Sequence, residues 1–264
     1  MSKKKQPSNT SVDPLTKLCF PDFDDYIKNE RKTVELLANC GELATLGDSF
    51  DNAIQQLHAT MQNWNDIKHR PVCIRFYATI NSVVEDRHVK GGGTKTSKMH
   101  KVGFGAKVEF DDKHQLLNAS YLIEIFGEEN SDAADAILTR IHFDVVSRDD
   151  RMCSKYPLYH LQVGGNPSEG GCYSKDKRRN ENMKALSYPR IPYCPLSLAL
   201  FMDMVLRELG GCDAKVFLKS AIWRGVVRKS ETMMLLPFLK CLCAGNENQD
   251  RRFSEMYYGS TDEA

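Results

Sequence analysis

Arg140, His142 and Asp144 stand at every second position of one short stretch, with Ile141, Phe143 and Val145 between them. After a polar turn the pattern returns as His160 and Gln162 between Tyr159, Leu161 and Val163. Successive side chains of a strand point to opposite faces, so Leu138 to Gly165 reads as a hairpin with its ionisable groups on one side. Imidazole gains and loses a proton near neutral pH, which lets one histidine act as general base and another as general acid. Metal-free cleavage of RNA needs little more. One imidazole takes the 2′-hydroxyl proton, a second protonates the leaving oxygen, and a guanidinium stabilises the phosphorane. His142 and His160 are the candidate base and acid, Arg140 the phosphate clamp, and Asp144 an orienting group for a histidine. Two other readings use the same residues. They form cross-strand charge pairs on the wet side of a one-sided sheet, or His142, His160 and Asp144 make a 2-His-1-carboxylate set of the kind that suits iron or manganese. No metal and no cofactor is assigned.

The surrounding chain must supply a sheet and something to cover one side of it. Asp24 to Leu46 has helical spacing with Gly41 as its weak point, and Asp48 opens a second helix through Ile54, Leu57, Met61 and Trp64. At Val72 the period changes from helical to alternating, setting Ile74, Phe76, Ala78 and Ile80 against Cys73, Arg75, Tyr77 and Thr79. Strands resume at Ala106 to Phe110 and at Leu117 to Phe126, and no helix long enough for a crossover separates any of them. Pro195 at a first helical position and Gly210 after a last one bracket an apolar helix suited to the sheet's apolar face; Asp213 caps the next, and a final helix from about Glu231 to Cys243 should kink at Pro237. The expected class is therefore α+β, a meander of about five antiparallel strands with an N-terminal helical hairpin and C-terminal helices on one face. The organisation is a flexible tail over 1–22, one α+β domain over 23–245 and a polar tail over 246–264. Within the domain the helical hairpin spans 23–70, the sheet 71–165, a basic loop 166–194 and the C-terminal helices 195–244. On this pattern Arg75, Tyr77 and Glu124 join the hairpin's ionisable residues on the uncovered face.

Two basic segments flank the sheet. Lys90 to Lys101, KGGGTKTSKMHK, holds four lysines and no acid, but lacks the GxxxxGK[ST] order of a P-loop. Lys175 to Arg190 holds six basic residues against two acidic ones. Lys95, Lys98, Lys101, Arg178 and Arg179 are the candidate contacts to a nucleic-acid backbone. A long loop of this kind in a compact domain either binds something or is disordered.

A net charge of +1 on 264 residues means that the molecule as a whole is no polycation, so any electrostatic site is local. Nine scattered cysteines, none in CxxC spacing, suit buried thiols in a reducing cytosol. Cys153 near His160 is a weaker nucleophile candidate than bystander. The lysines of MSKKKQPSNTSVDP are followed by no apolar run, and no stretch is long enough to span a bilayer, so a cytoplasmic protein without membrane contact is expected. The serine-hydrolase elbow, the HExxH helix, the kinase set and the dinucleotide fingerprint are all missing.

YPLYHLQVGG (Tyr156 to Gly165) followed by PRIPYCPLSLALFMDMVL (Pro189 to Leu206) resembles a pattern in uncharacterised bacterial proteins associated with mobile elements and phage defence. The resemblance implies a defence or toxin setting and no particular catalytic residue. The expected function is that of a nucleic-acid-directed protein, in its specific form an RNase-like effector of a bacterial phage-defence or toxin system. The alternative is a non-enzymatic subunit that binds a partner protein. No motif decides whether the chain is an enzyme.

Overall fold

The computed structural model describes residues 21–62, 71–85, 97–128, 134, 137–145, 159–164 and 191–247. Most of the two expected tails and of the 166–194 loop, together with Cys153, Lys95, Arg178 and Arg179, lie outside the described residues. The protein is α+β, with helices at both ends of an antiparallel meander.

Helix α1 (Phe23–Ala38) starts where the Asp22 carboxylate accepts hydrogen bonds from the amides of Asp24 and Asp25. Its buried positions Tyr26, Ile27, Glu30, Thr33, Val34 and Leu37 form one helical stripe. Gly41, expected to be the weak point, opens a separate 3-10 segment, Gly41–Leu46, that ends at Gly47 with φ of 104°. Helix α2 (Asp48–Gln62) follows and buries Phe50, Ile54, Leu57 and Met61.

Strands β1 (Val72–Glu85), β2 (Ser97–Phe110), β3 (Leu116–Glu128), β4 (Ile137–Val145) and β5 (Tyr159–Val163) pair in sequence order, and a two-residue β6 (Ile191–Pro192) adds to the edge. The second strand begins nine residues before the expected Ala106, because the end of the lysine-rich segment pairs with Ser82 to Glu85 of β1. The β2–β3 turn is held by Asp111, whose side chain accepts from the amides of Lys113 and Gln115.

At the C-terminal end, α3 (Leu198–Leu209) starts at Ser197, whose hydroxyl accepts from Leu200 N, rather than at Pro195. Gly211 rather than Asp213 caps α4 (Cys212–Lys219), and Ser220 separates it from α5 (Ala221–Ser230). A π segment, Glu231–Leu235, then leads without a break into α6 (Leu236–Glu247). Pro237, where a kink was expected, lacks an N–H and crowds the carbonyl four residues back, and the wider π turn stands just before it.

Aromatic pairs fix α1, α2, α3 and α6 to one face of the sheet, and Phe217 of α4 packs on Trp223 of α5. Tyr26 of α1 lies 5.6 Å from Phe110 of β2, Phe50 of α2 lies 6.1 Å from Phe104 of β2, and Phe201 of α3 lies 5.1 Å from Tyr121 of β3. Phe238 of α6 meets Tyr159 of β5 edge-on at 5.7 Å. The core they share is apolar apart from a few polar side chains, Asn29, Thr33, Ser197 and Ser230 among them, and Glu30 is its buried carboxylate.

Candidate functional site

The sheet register decides which residues share the face away from the helices. Across the strands, Tyr77 faces Gly105, Gly105 faces Leu122, Leu122 faces His142 and His142 faces Gln162. A neighbouring row runs Thr79, Gly103, Glu124, Arg140, and another runs Arg75, Lys107, Ser120, Asp144, His160. Every residue expected on this face is on it. His142 and His160 are diagonal neighbours on paired strands, a separation of roughly 7–8 Å between backbones and within reach for long side chains.

The face was expected to be open, and it is so only towards its edge: Arg75 is exposed and Tyr77, Lys107, Ser120, His142, Asp144 and Gln162 are half-buried, but its middle is covered. Leu122 is fully buried, and so in effect are Glu124, Arg140 and His160 at 1%, 2% and 3% exposure. Alternation reports which side a residue takes; it carries no information on what lies over that side.

At the centre is a buried ion pair. Arg140 Nε lies 3.2 Å from Glu124 Oε1, and the Tyr77 hydroxyl donates to Glu124 Oε2 at 2.9 Å. Burial first, and then the Glu124 charge, push the Tyr77 hydroxyl far above its ordinary pKa, so it stays a donor. Gly103 is required here, since a Cβ at that position would run into the Tyr77 hydroxyl and ring. Tyr77, Gly103 and Glu124 were legible as members of the face but not as parts of one cluster, because only the register joins 77 to 124.

His142 lies beside this pair. Burial, then the Arg140 guanidinium, then His160 lower its pKa to about 3, so the imidazole is neutral at physiological pH. Its Nδ1 is 3.9 Å from Asp144 Oδ2, too far for a hydrogen bond. Its Nε2 is buried and has no hydrogen-bond partner among the described residues. Asp144 instead accepts from the Ser120 hydroxyl at 2.5 Å, while its backbone stands opposite His160. It is thus tied to Ser120 and orients His142 only loosely.

Among the described residues no group of three His, Cys, Asp or Glu side chains is arranged to hold a metal ion, which removes the support for the iron or manganese reading of His142, His160 and Asp144. Lys98 and Lys101 belong to β2, not to a loop. Their separation by three positions puts them on opposite faces of the strand. Lys98 pairs with Glu128 at 2.7 Å, and the Lys101 ammonium sits 5.3 Å from the Phe126 ring centroid. They do not form a basic arm.

No family model, curated protein or solved structure matches this chain. No helix among the described residues is long and apolar enough to cross a membrane.

Proposed function

We propose that this is a nucleic-acid-directed protein whose active face is the polar side of the sheet, acting as an RNase-like effector in a bacterial phage-defence or toxin setting. The observation that carries this reading is the Nε2 of His142, buried beside a guanidinium and a second imidazole and without a hydrogen-bond partner among the described residues. A buried polar atom with no partner is uncommon, and perturbed ionisable groups cluster at functional sites. The neutral state of His142 makes it the base that takes the 2′-hydroxyl proton. His160, opposite the Asp144 carboxylate in register, is the acid that protonates the leaving oxygen. Arg140 supplies positive charge from the Glu124 side. A phosphate drawn between Arg140 and His142 replaces repulsion on the imidazole with attraction, so its proton affinity rises when substrate is present. The resemblance of Tyr156 to Gly165 and Pro189 to Leu206 supports the bacterial setting.

Cleavage of a labelled RNA by purified protein tests this. Changing both His142 and His160 to Asn should lower the rate by about 10²–10⁴-fold with little change in melting temperature, the usual worth of positioned acid and base groups. Equal cleavage by the double variant rejects the mechanism.

The second reading is a non-enzymatic subunit that binds a partner protein. It is favoured by aliphatic side chains exposed on the C-terminal helices, Val216 at 58%, Ile222 at 61% and Leu239 at 52%. Salt separates the two: affinity for nucleic acid falls steeply with ionic strength, whereas a complex held by apolar contacts changes little.

A further inference from the structure

A neutral imidazole carries its proton on one ring nitrogen, and only the other, with its bare lone pair, can take a proton from a substrate. The proposed chemistry needs that lone pair on the buried Nε2 of His142. What selects it stands on the other side of the ring. Arg140 lies two positions before His142 on β4 and Asp144 two positions after it, so a cation and an anion flank it along the strand. On the neighbouring strands Leu122 and Gln162 stand opposite it, and His160 is its diagonal neighbour. The ring turns Nδ1 towards the anion, 3.9 Å from Asp144 Oδ2. No hydrogen bond spans that gap, but charge acts across it, and an N–H dipole aimed at a carboxylate is favoured over a lone pair aimed at it.

Asp144 biases the ring in this way only while its own carboxylate is held. Ser120 stands directly opposite Asp144 on β3, and its hydroxyl donates to Asp144 Oδ1 at 2.5 Å. That bond occupies one oxygen and leaves Oδ2 as the atom turned to His142. Its length is that of a hydroxyl donating to an ionised carboxylate, so Asp144 keeps its charge. We infer that Ser120 is a positioning residue: by fixing Asp144 it places the His142 proton on Nδ1 and leaves Nε2 as a bare lone pair. The surroundings of Nε2 agree, because a buried N–H without an acceptor is rarer than an acceptor without a donor. The inference rests on the RNase-like reading for its purpose but not for its observable, since the tautomer is a property of the free protein.

The test is nitrogen-15 NMR of the His142 ring in the full-length protein at neutral pH, where protonated and bare ring nitrogens differ widely in chemical shift. The wild type should show the proton on Nδ1. Asp144→Asn and Ser120→Ala should each move part of the population to Nε2–H, the first further than the second. Ser120→Thr keeps the hydroxyl and should match the wild type. In RNA cleavage Ser120→Ala should lower kcat about tenfold with KM little changed, the lower end of what partners that orient metal-binding histidines are worth. A merely structural role for Ser120 would lower the melting temperature and leave the tautomer alone. A wild-type ring with its proton on Nε2 overturns the inference without any variant. So does a tautomer that ignores Ser120→Ala, or a threonine variant that behaves like the alanine one. Cleavage that needs both histidines while the ring carries Nε2–H sinks this inference and leaves the RNase-like reading standing; the expected tautomer pattern in a protein that cleaves no RNA does the reverse.

Discussion

Two carboxylates are buried to within 1% of full burial, Glu30 under the helices and Glu124 on the polar side of the sheet, and they are handled in opposite ways. Glu124 has a guanidinium at 3.2 Å and a phenol at 2.9 Å. Glu30 has only the amide of Leu198, at 3.3 Å on Oε1, and its Oε2 has no hydrogen-bond partner among the described residues. Desolvation, opposed only by that amide, raises the Glu30 pKa to about 8, so at neutral pH it is largely a protonated acid at the start of α3. The difference teaches that one cluster is built to hold charge out of water, and the other sheds charge to stay buried. Tyr26 and Tyr121 around Glu30 are raised by burial first and by Glu30 second, and Tyr121 donates to Leu196 O, so this site joins helices and strand without presenting a charge to anything.

Breaking the Glu124 pair gives the largest expected effect. Glu124→Ala leaves Arg140 as an uncompensated buried charge and should cost about 3–5 kcal/mol in denaturant unfolding. Glu124→Leu combined with Arg140→Met should recover most of that loss, and failure to recover it would mean the pair is not the reason for the cost. At the other carboxylate the direction reverses. Because the folded-state pKa of Glu30 is raised, the folded protein holds its proton more tightly than the unfolded chain, and stability falls as pH rises from about 4.5 to about 8. The slope approaches about 1.4 kcal/mol per pH unit. Glu30→Gln should remove that limb, leaving stability at pH 5 nearly unchanged and raising it at pH 8; an unchanged alkaline limb in the variant refutes the assignment.

His142 contributes the opposite limb. Its folded-state pKa of about 3 lies below the ordinary 6.5, so the stability it contributes is present above pH 6.5 and is lost as pH falls towards 3. His142→Asn should flatten the acid side of the same profile. Smaller again is Tyr77→Phe, which removes one hydrogen bond to Glu124 and should cost about 1–2 kcal/mol. Gly103→Ala displaces the same phenol, so combining the two substitutions should cost less than their sum.

Much of this arrangement was legible before any coordinates. Alternation placed Arg75, Tyr77, Glu124, Arg140, His142, Asp144, His160 and Gln162 on one face, because period two follows from strand geometry alone. The meander followed from the short connections, but the register was not legible, since it depends on which residues of neighbouring strands meet. The start of β2 was hidden as well. Ser97 to Lys101 has the composition of a loop, and pairing with β1 together with the Lys98–Glu128 contact overrides it. Glu30 carried a signal that was passed over. It sits on the stripe of Tyr26, Ile27, Val34 and Leu37, and a carboxylate at a core-facing position of a helix is either paired or neutral. Burial of Glu124, Arg140 and His160 in the middle of the polar face had no sequence signal at all.

The most direct test is the titration of the His142 imidazole by NMR, with and without a short, uncleavable 2′-deoxy analogue of RNA. The proposal predicts that the ring stays neutral down to about pH 3–4 in the free protein and that its pKa moves up by a unit or more when the oligonucleotide binds. A His142 that titrates near 6.5 in the free protein, or one whose pKa is the same with and without the oligonucleotide, contradicts it.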